Sequence, residues 1–153
     1  MKLVNRFNSI FLANIILTLR SLRETFFLMS ENEISNVVIG ICIKVHKTFG
    51  PGLLESVYEE AICQELLYRN IPFTRQQEIK IDYGGVHLEK WFRSDIIVEN
   101  KVILEIKSIE TILPLHSKIL LTYLKLTNLK LGLLINFNVN LLKEGIFRLV
   151  NNL

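Results

Sequence analysis

The stretch from Ser94 to Ser108, SDIIVENKVILEIKS, constrains the fold more than any other part of the chain. It is dense in isoleucine and valine, which favour strands, and the polar trio Glu99-Asn100-Lys101 divides it in two. Residues opposed across an antiparallel pair point to the same face of a sheet. With a three-residue loop, Val98 faces Val102, Ile96 faces Leu104, and Ile106 joins them on one apolar face. The other face then carries Ile97 opposite Ile103, Asp95 opposite Glu105 and Arg93 opposite Lys107. A two-residue loop would set Asp95 against Leu104 and mix the faces, so hydrophobic sorting selects the longer loop or an equivalent bulge. The expected outcome is two carboxylates and two cations gathered at one end of an otherwise apolar sheet face.

Such an arrangement needs a reason. Adjacent carboxylates repel, and partial burial raises the cost. A hard divalent cation bound by their oxygens removes the repulsion. Lys107, beside the pair, can then hold a water or a phosphate oxygen. A Glu-x-Lys in a strand is commonly an ordinary solvated ion pair. The aspartate at the facing position, in so apolar a hairpin, is what sets this one apart.

The flanking sequence supplies the other elements. SENE offers Ser30 as N-cap and Glu33 as its partner three residues on, a capping box. Ile34, Val37, Val38, Ile41 and Val45 follow at helical spacing, so residues 31–48 read as an amphipathic helix, stopped by FGPG at Phe49 to Gly52. A second helix is expected over 53–69, ended by Asn70 and Pro72. The period then becomes two: Ile79, Ile81 and Tyr83 alternate with polar residues, and Gly84-Gly85 turns the chain into Val86 and Leu88. A strand is expected over 102–107, a helix over 115–126 and a buried strand at LGLLINF, residues 131–137. GIFRLV, residues 145–150, suits an edge strand. Helix, helix, three strands, helix, strand describes an α/β fold.

A chain of 153 residues can bury one substantial core without disulfides or structural metal. Cys42 and Cys63 lie far apart in apolar helical patterns and read as small core residues of a reducing, cytoplasmic protein. Charge is uneven. Residues 1–28 hold Lys2, Arg6, Arg20 and Arg23 against Glu24, which accounts for the whole formal net charge of +3. The remainder is neutral, so a polyanion-binding surface there must be a local patch. The apolar run of the leader, broken by Asn14 and Thr18, is too short to span a bilayer, and no small-x-small cleavage site follows it. A surface-lying amphipathic helix is one reading of residues 1–28. Because Ser30 opens a well-formed helix directly afterwards, they are expected instead to be an extension from a misassigned start, with Met29 opening a domain over 29–153.

GLLESVY, Gly52 to Tyr58, fits a Gly-x-x-Glu-x-x-Tyr signature, and the stretch from Glu31 to Asn151 resembles the GxxExxY protein family. That stretch includes VHKTFGPGLLESVYEEA, FRSDIIVENKVILEIKS and LTYLKLTNLKLGLLINFNV. The family is placed in the PD-(D/E)XK nuclease-like superfamily. The resemblance implies a restriction-endonuclease-like αβββαβ core with an additional N-terminal helix. It implies Asp95 and Glu105 as ligands of Mg²⁺ or Mn²⁺, Glu55 as the helical carboxylate that completes the metal site, and Lys107 as the catalytic lysine. Nucleic acid is the implied partner. Tyr58 lies one turn from Glu55 on the same helix face, although packing with a hydrogen-bonded hydroxyl is its simpler role. Glu59 and Glu60 are expected at the surface.

One position departs from the pattern. Many members of that superfamily carry Gln-x-x-x-Tyr on the helix after the lysine strand, whereas here Ile119 precedes an intact Tyr123. The change leaves a rival reading open: a nucleic-acid-binding or protein-interaction module that keeps a nuclease fold. Arg93, His116 and Lys118 complete the supporting candidates. His116, near the start of its helix, could reach a phosphate or simply cap, and Lys118 shares a helix face with Thr122 and Lys125 that could follow a nucleic-acid backbone. His46, His87 and His116 lack metal-ligand spacing, and no phosphate-binding glycine loop or nucleophile elbow is present.

Overall fold

The computed structural model describes residues 28–153, and the expectations for the leader lie outside them. Helix α1 spans Glu31–Phe49 and opens with the expected reciprocal cap: Glu33 N–H donates to Ser30 Oγ at 3.3 Å while Ser30 N–H donates to Glu33 Oε2 at 2.8 Å. It ends at Gly50, whose φ of +69° places it in the left-handed region that glycine enters freely. Helix α2 spans Glu55–Tyr68. It starts two residues later than its apolar spacing suggests, because Leu53 is spent on the turn before it. There the Tyr58 hydroxyl donates to Gly50 O at 2.7 Å and accepts from Leu53 N–H at 3.1 Å. The Tyr58 ring is fully buried and stacks on Phe137 at a centroid distance of 4.3 Å. Tyr58 thus ties the Gly-Pro-Gly turn to the core and is a packed residue.

Five strands follow, in the order of the chain: β1 Phe73–Tyr83, β2 Val86–Val98, β3 Val102–Lys107, β4 Leu131–Asn136 and β5 Ile146–Val150. β3 and β4 run parallel, joined by helix α3 at Pro114–Thr127, and the other neighbours are antiparallel. A parallel pair requires such a crossover. A short 3₁₀ turn, Leu142–Gly145, leads into β5, which forms one edge of the sheet as expected.

The sheet is covered on both sides. Ile96, Val98, Val102, Leu104 and Ile106 pack against α1 and α2 through Ile34, Val38, Tyr58 and Ile62. Ile97, Ile103 and Leu134 pack against Leu120, Tyr123 and Leu124 of α3. Cys42 and Cys63 are buried free thiols. Among the described residues no helix is long and apolar enough to cross a membrane.

The β1–β2 hairpin differs from its expected outline. β1 begins at Phe73, earlier than alternation signals, and of Ile79, Ile81 and Tyr83 only Ile79 is buried. The cause is length: β1 and β2 hold 11 and 13 residues, whereas β3 and β4 hold 6 each, so the hairpin runs past the strands that could cover it.

Tyr58→Phe keeps the stacked ring but strips the hydroxyl from Gly50 O and Leu53 N–H. The expected loss is about 1–3 kcal/mol of unfolding free energy, the cost of leaving buried polar groups unpaired. Urea denaturation of the two proteins checks it.

Candidate active site

The β2–β3 hairpin has the register that hydrophobic sorting selects: Val98 pairs with Val102, Ile97 with Ile103 and Ile96 with Leu104. Lys101 N–H donates to Val98 O at 3.0 Å and closes the loop, with Glu99 and Asn100 both left-handed at φ of +52° and +51°. Pairing of β2 with β3 stops at Ile96 and Leu104. Beyond that point Asp95 uses its side chain where the ladder would have used backbone: Oδ2 accepts the Ile106 N–H at 2.7 Å. This separates the strands' ends and fixes the carboxylate of Asp95 beside Glu105.

Glu105 is 8% exposed, and its Oε2 is buried with no hydrogen-bond partner among the described residues. Its other oxygen, Oε1, accepts from Lys107 Nζ at 2.7 Å, and the same ammonium donates to Ile106 O at 3.0 Å. Burial, then the charge of Asp95, pushes the Glu105 carboxyl up to about 7 against the weaker pull of Lys107. Burial also raises Asp95, offset in part by the Ile106 N–H and by Lys107, with the charges of Glu59 and Glu55 adding to the rise. Burial pulls Lys107 down, but Glu105, Asp95 and Glu55 outweigh it and hold the ammonium above the usual lysine value. Lys107 is thus a charged donor, unsuited to act as a base in its resting state. Tyr123, from α3, is raised by burial and by the charge of Glu105, so it stays a neutral phenol facing the same group of charges. Its ring lies against Phe92 at 5.3 Å.

Glu55 comes to the rim of this group from the other side of the sheet. Its Oε1 accepts the Ser108 N–H at 3.0 Å, and Ser108 Oγ donates to Leu53 O at 2.6 Å. A cleft of about 630 Å³ opens there, lined by Leu53, Leu54, Glu55, Ser56, Ser108 and Asn138 among others. Among the described residues no three His, Cys, Asp or Glu side chains converge into a ready-made metal cage. Asp95 and Glu105 are the close pair, and Glu55 stands at the edge of it.

The supporting candidates separate clearly. His116 caps α3: its Nδ1 accepts the Leu113 N–H at 3.0 Å. Lys118 is exposed on α3. Arg93 does not face Lys107, because β2 beyond Ile96 pairs with β1 alone, where Arg93 stands opposite Glu78. Lys107 lies opposite Asn136 of β4. Glu59 corrects an expectation: it is 7% exposed, not on the surface, because Arg75 and Gln76 of β1 reach over and bond to it. Glu60 is exposed as expected.

Three features went unread in the sequence. Ser108 anchors Glu55. Asn136 is buried, accepts the Ile109 N–H at 3.1 Å and donates to Ile109 O at 2.8 Å, which pins the chain leaving β3. The lone amide ending an otherwise apolar strand was a usable signal for it. The Glu59–Arg75–Gln76 cluster had only a weak one, the i,i+4 spacing of Glu55 and Glu59.

A family model described as the PD-(D/E)XK nuclease superfamily matches residues 32–149. No curated protein and no solved structure matches the chain.

The raised Glu105 carboxyl carries a signed pH dependence. Its contribution to stability is fully present below the ordinary value of 4.5 and is lost as pH rises through about 7. In a chelating buffer Glu105→Gln lacks that loss. Relative to wild type it is expected to gain a few kcal/mol of stability between those two pH values and no more above them. Paired denaturation curves across the range read the difference directly.

Proposed function

The chain belongs to the PD-(D/E)XK nuclease superfamily, and on that premise we propose that it is a Mg²⁺-dependent nuclease that hydrolyses phosphodiester bonds of DNA or RNA. The observation that carries the reading is the buried Oε2 of Glu105, unpartnered among the described residues, beside the carboxylate of Asp95. Two desolvated carboxylates with a spare oxygen lack a positive charge, and one ammonium is already shared between Glu105 and a carbonyl. Mg²⁺ suits a site of this composition, since it keeps several waters and is bound through one or two carboxylates plus substrate phosphates.

Asp95 and Glu105 would hold the ion, with Glu55 at the rim. When bound, it supplies charge neutralisation at the scissile phosphate and a lowered pKa for water. The rest falls to the protein's own groups. Lys107 keeps its proton and donates it in a hydrogen bond to a non-bridging phosphate oxygen or to the attacking water, stabilising the charge that grows there. Tyr123, neutral and close to the same charges, can donate a second hydrogen bond. The Ile106 N–H bond holds Asp95 in place throughout. Backbone phosphates are read almost blind to sequence, so specificity must come from elsewhere on the surface.

The test is cleavage of mixed single- and double-stranded DNA and RNA, with and without Mn²⁺. Lys107→Ala is expected to abolish cleavage while Mn²⁺ affinity by calorimetry stays equal or rises, because a neighbouring cation is gone. Asp95→Asn is expected to weaken both. Equal cleavage by wild type and Lys107→Ala after nuclease-free purification would trace the activity to a contaminant or to another site.

A second reading, a weakened nuclease acting mainly as a binding module, is favoured by one residue. Ile119 packs against the α3 core where an amide would serve the site. Ile119→Gln restores a donor one turn from Tyr123. If the new hydrogen bond to a charged group is made only in the transition state, turnover should rise about ten- to a hundredfold. A fall in melting temperature with turnover unchanged or lower would assign Ile119 to the core alone.

A further inference from the structure

β1 and β2 pair without a shift of register on either side of Asp95: Arg75 stands opposite Ile96 and Gln77 opposite Ser94. The residue between them, Gln76, is the one that lies across from Asp95, and it alone in that run makes no ladder pair. Its φ is +52°, left-handed, in a residue that is neither glycine nor asparagine. Such a conformation in mid-strand is held only when the surroundings demand it, and it collects at functional sites.

The demand comes from Glu59. Side chains along a strand alternate between faces. Arg75, opposite Ile96, belongs on the face covered by α1 and α2, and its Nε donates to Glu59 Oε1 at 2.6 Å. Its guanidinium also bonds Glu60. Gln76 should by alternation point the other way, onto the face of Asp95. It does not: its Nε2 donates to both oxygens of Glu59, at 2.9 Å each. Two successive strand residues therefore reach the same buried carboxylate, and the left-handed turn at Gln76 is what breaks the alternation there. The charge of Glu59 also adds to the rise of the Asp95 carboxyl.

We infer that Glu59 is a positioning residue that captures the Gln76 amide and keeps it off the site face, leaving the β1 side of Asp95 clear for a phosphate of the substrate strand. In an ordinary strand conformation the Gln76 amide would stand beside Asp95, where it would donate to the carboxylate and compete with any cation or phosphate approaching it. The consequence for catalysis rests on the nuclease reading above. The conformational device does not.

Substitutions at Gln76 separate this from simple packing. Glycine takes the left-handed conformation without strain and has no side chain to swing inward, whereas a β-branched residue is driven back to the extended form. Gln76→Gly is expected to keep Mn²⁺ affinity and turnover near wild type. Gln76→Val is expected to lose about ten- to a hundredfold in both, the scale on which groups around a metal ligand act. Glu59→Ala should lose similarly, and adding Gln76→Gly to it should restore most of the loss, a rescue that a purely structural role for Glu59 would not produce. Thermal melts confirm that each variant is folded, and Glu59→Gln replaces Glu59→Ala if the latter is not. Equal damage from Gln76→Gly and Gln76→Val, with no rescue of the Glu59 variant, overturns the inference while wild-type cleavage keeps the nuclease reading. The expected ordering in Mn²⁺ affinity, with no cleavage by any protein including wild type, does the reverse.

Discussion

The organising interaction in this protein is a repulsion. Asp95 and Glu105 are brought together by backbone pairing and hydrophobic sorting, neither of which takes account of their charge. Desolvation makes the contact worse, and the protein answers it only in part. Ile106 N–H stabilises one carboxylate and Lys107 the other, while one oxygen of Glu105 finds no partner among the described residues. Everything nearby is arranged around this deficit of positive charge. α2 brings a third carboxylate to the rim and α3 a neutral phenol, and among the described residues Lys107 is the cation whose charge acts on the pair. Stability is lost to a charge distribution that a proton on Glu105 or a cation would relieve.

The hairpin at the centre was legible in the sequence because its two faces differ so sharply. Ile96, Val98, Val102, Leu104 and Ile106 can share a face in only one register, and that register carries Asp95 and Glu105 along with it. The Ser30–Glu33 cap and the lysine strand were equally local and equally readable. Contacts between distant segments were not. Nothing in the hairpin itself says that β2 leaves β3 beyond Ile96, which is what separates Arg93 from Lys107. Glu59 was misplaced for the same reason. Its burial is decided by Arg75 and Gln76, and their reach depends on a backbone conformation that no periodicity predicts.

Two tyrosines show how one residue type divides its work. Tyr58 is enclosed, stacked on Phe137 and bonded at its hydroxyl to both sides of one turn, so it has nothing left to offer a ligand. Tyr123 is buried at its ring but set among the charges of the site. The sequence motif that contains Tyr58 therefore marks the place where Glu55 is aimed. The glycine and proline bend the chain, the tyrosine locks the bend, and the helix that follows starts with its carboxylate directed at Ser108.

The parallel pairing of β3 with β4 has a kinetic side. The β2–β3 hairpin closes through a loop of three residues, so it can form early and locally, with Asp95 and Glu105 still hydrated. Burying them requires α3 to cross over and β4 to dock, which closes a much longer loop and comes late. If α3 and β4 dock after the main barrier to folding, the electrostatic cost falls on the native side of it. A cation that relieves the cost should accordingly leave the rate of folding almost unchanged and act by slowing the rate of unfolding. Such a protein would gain lifetime from a bound cation rather than help in folding.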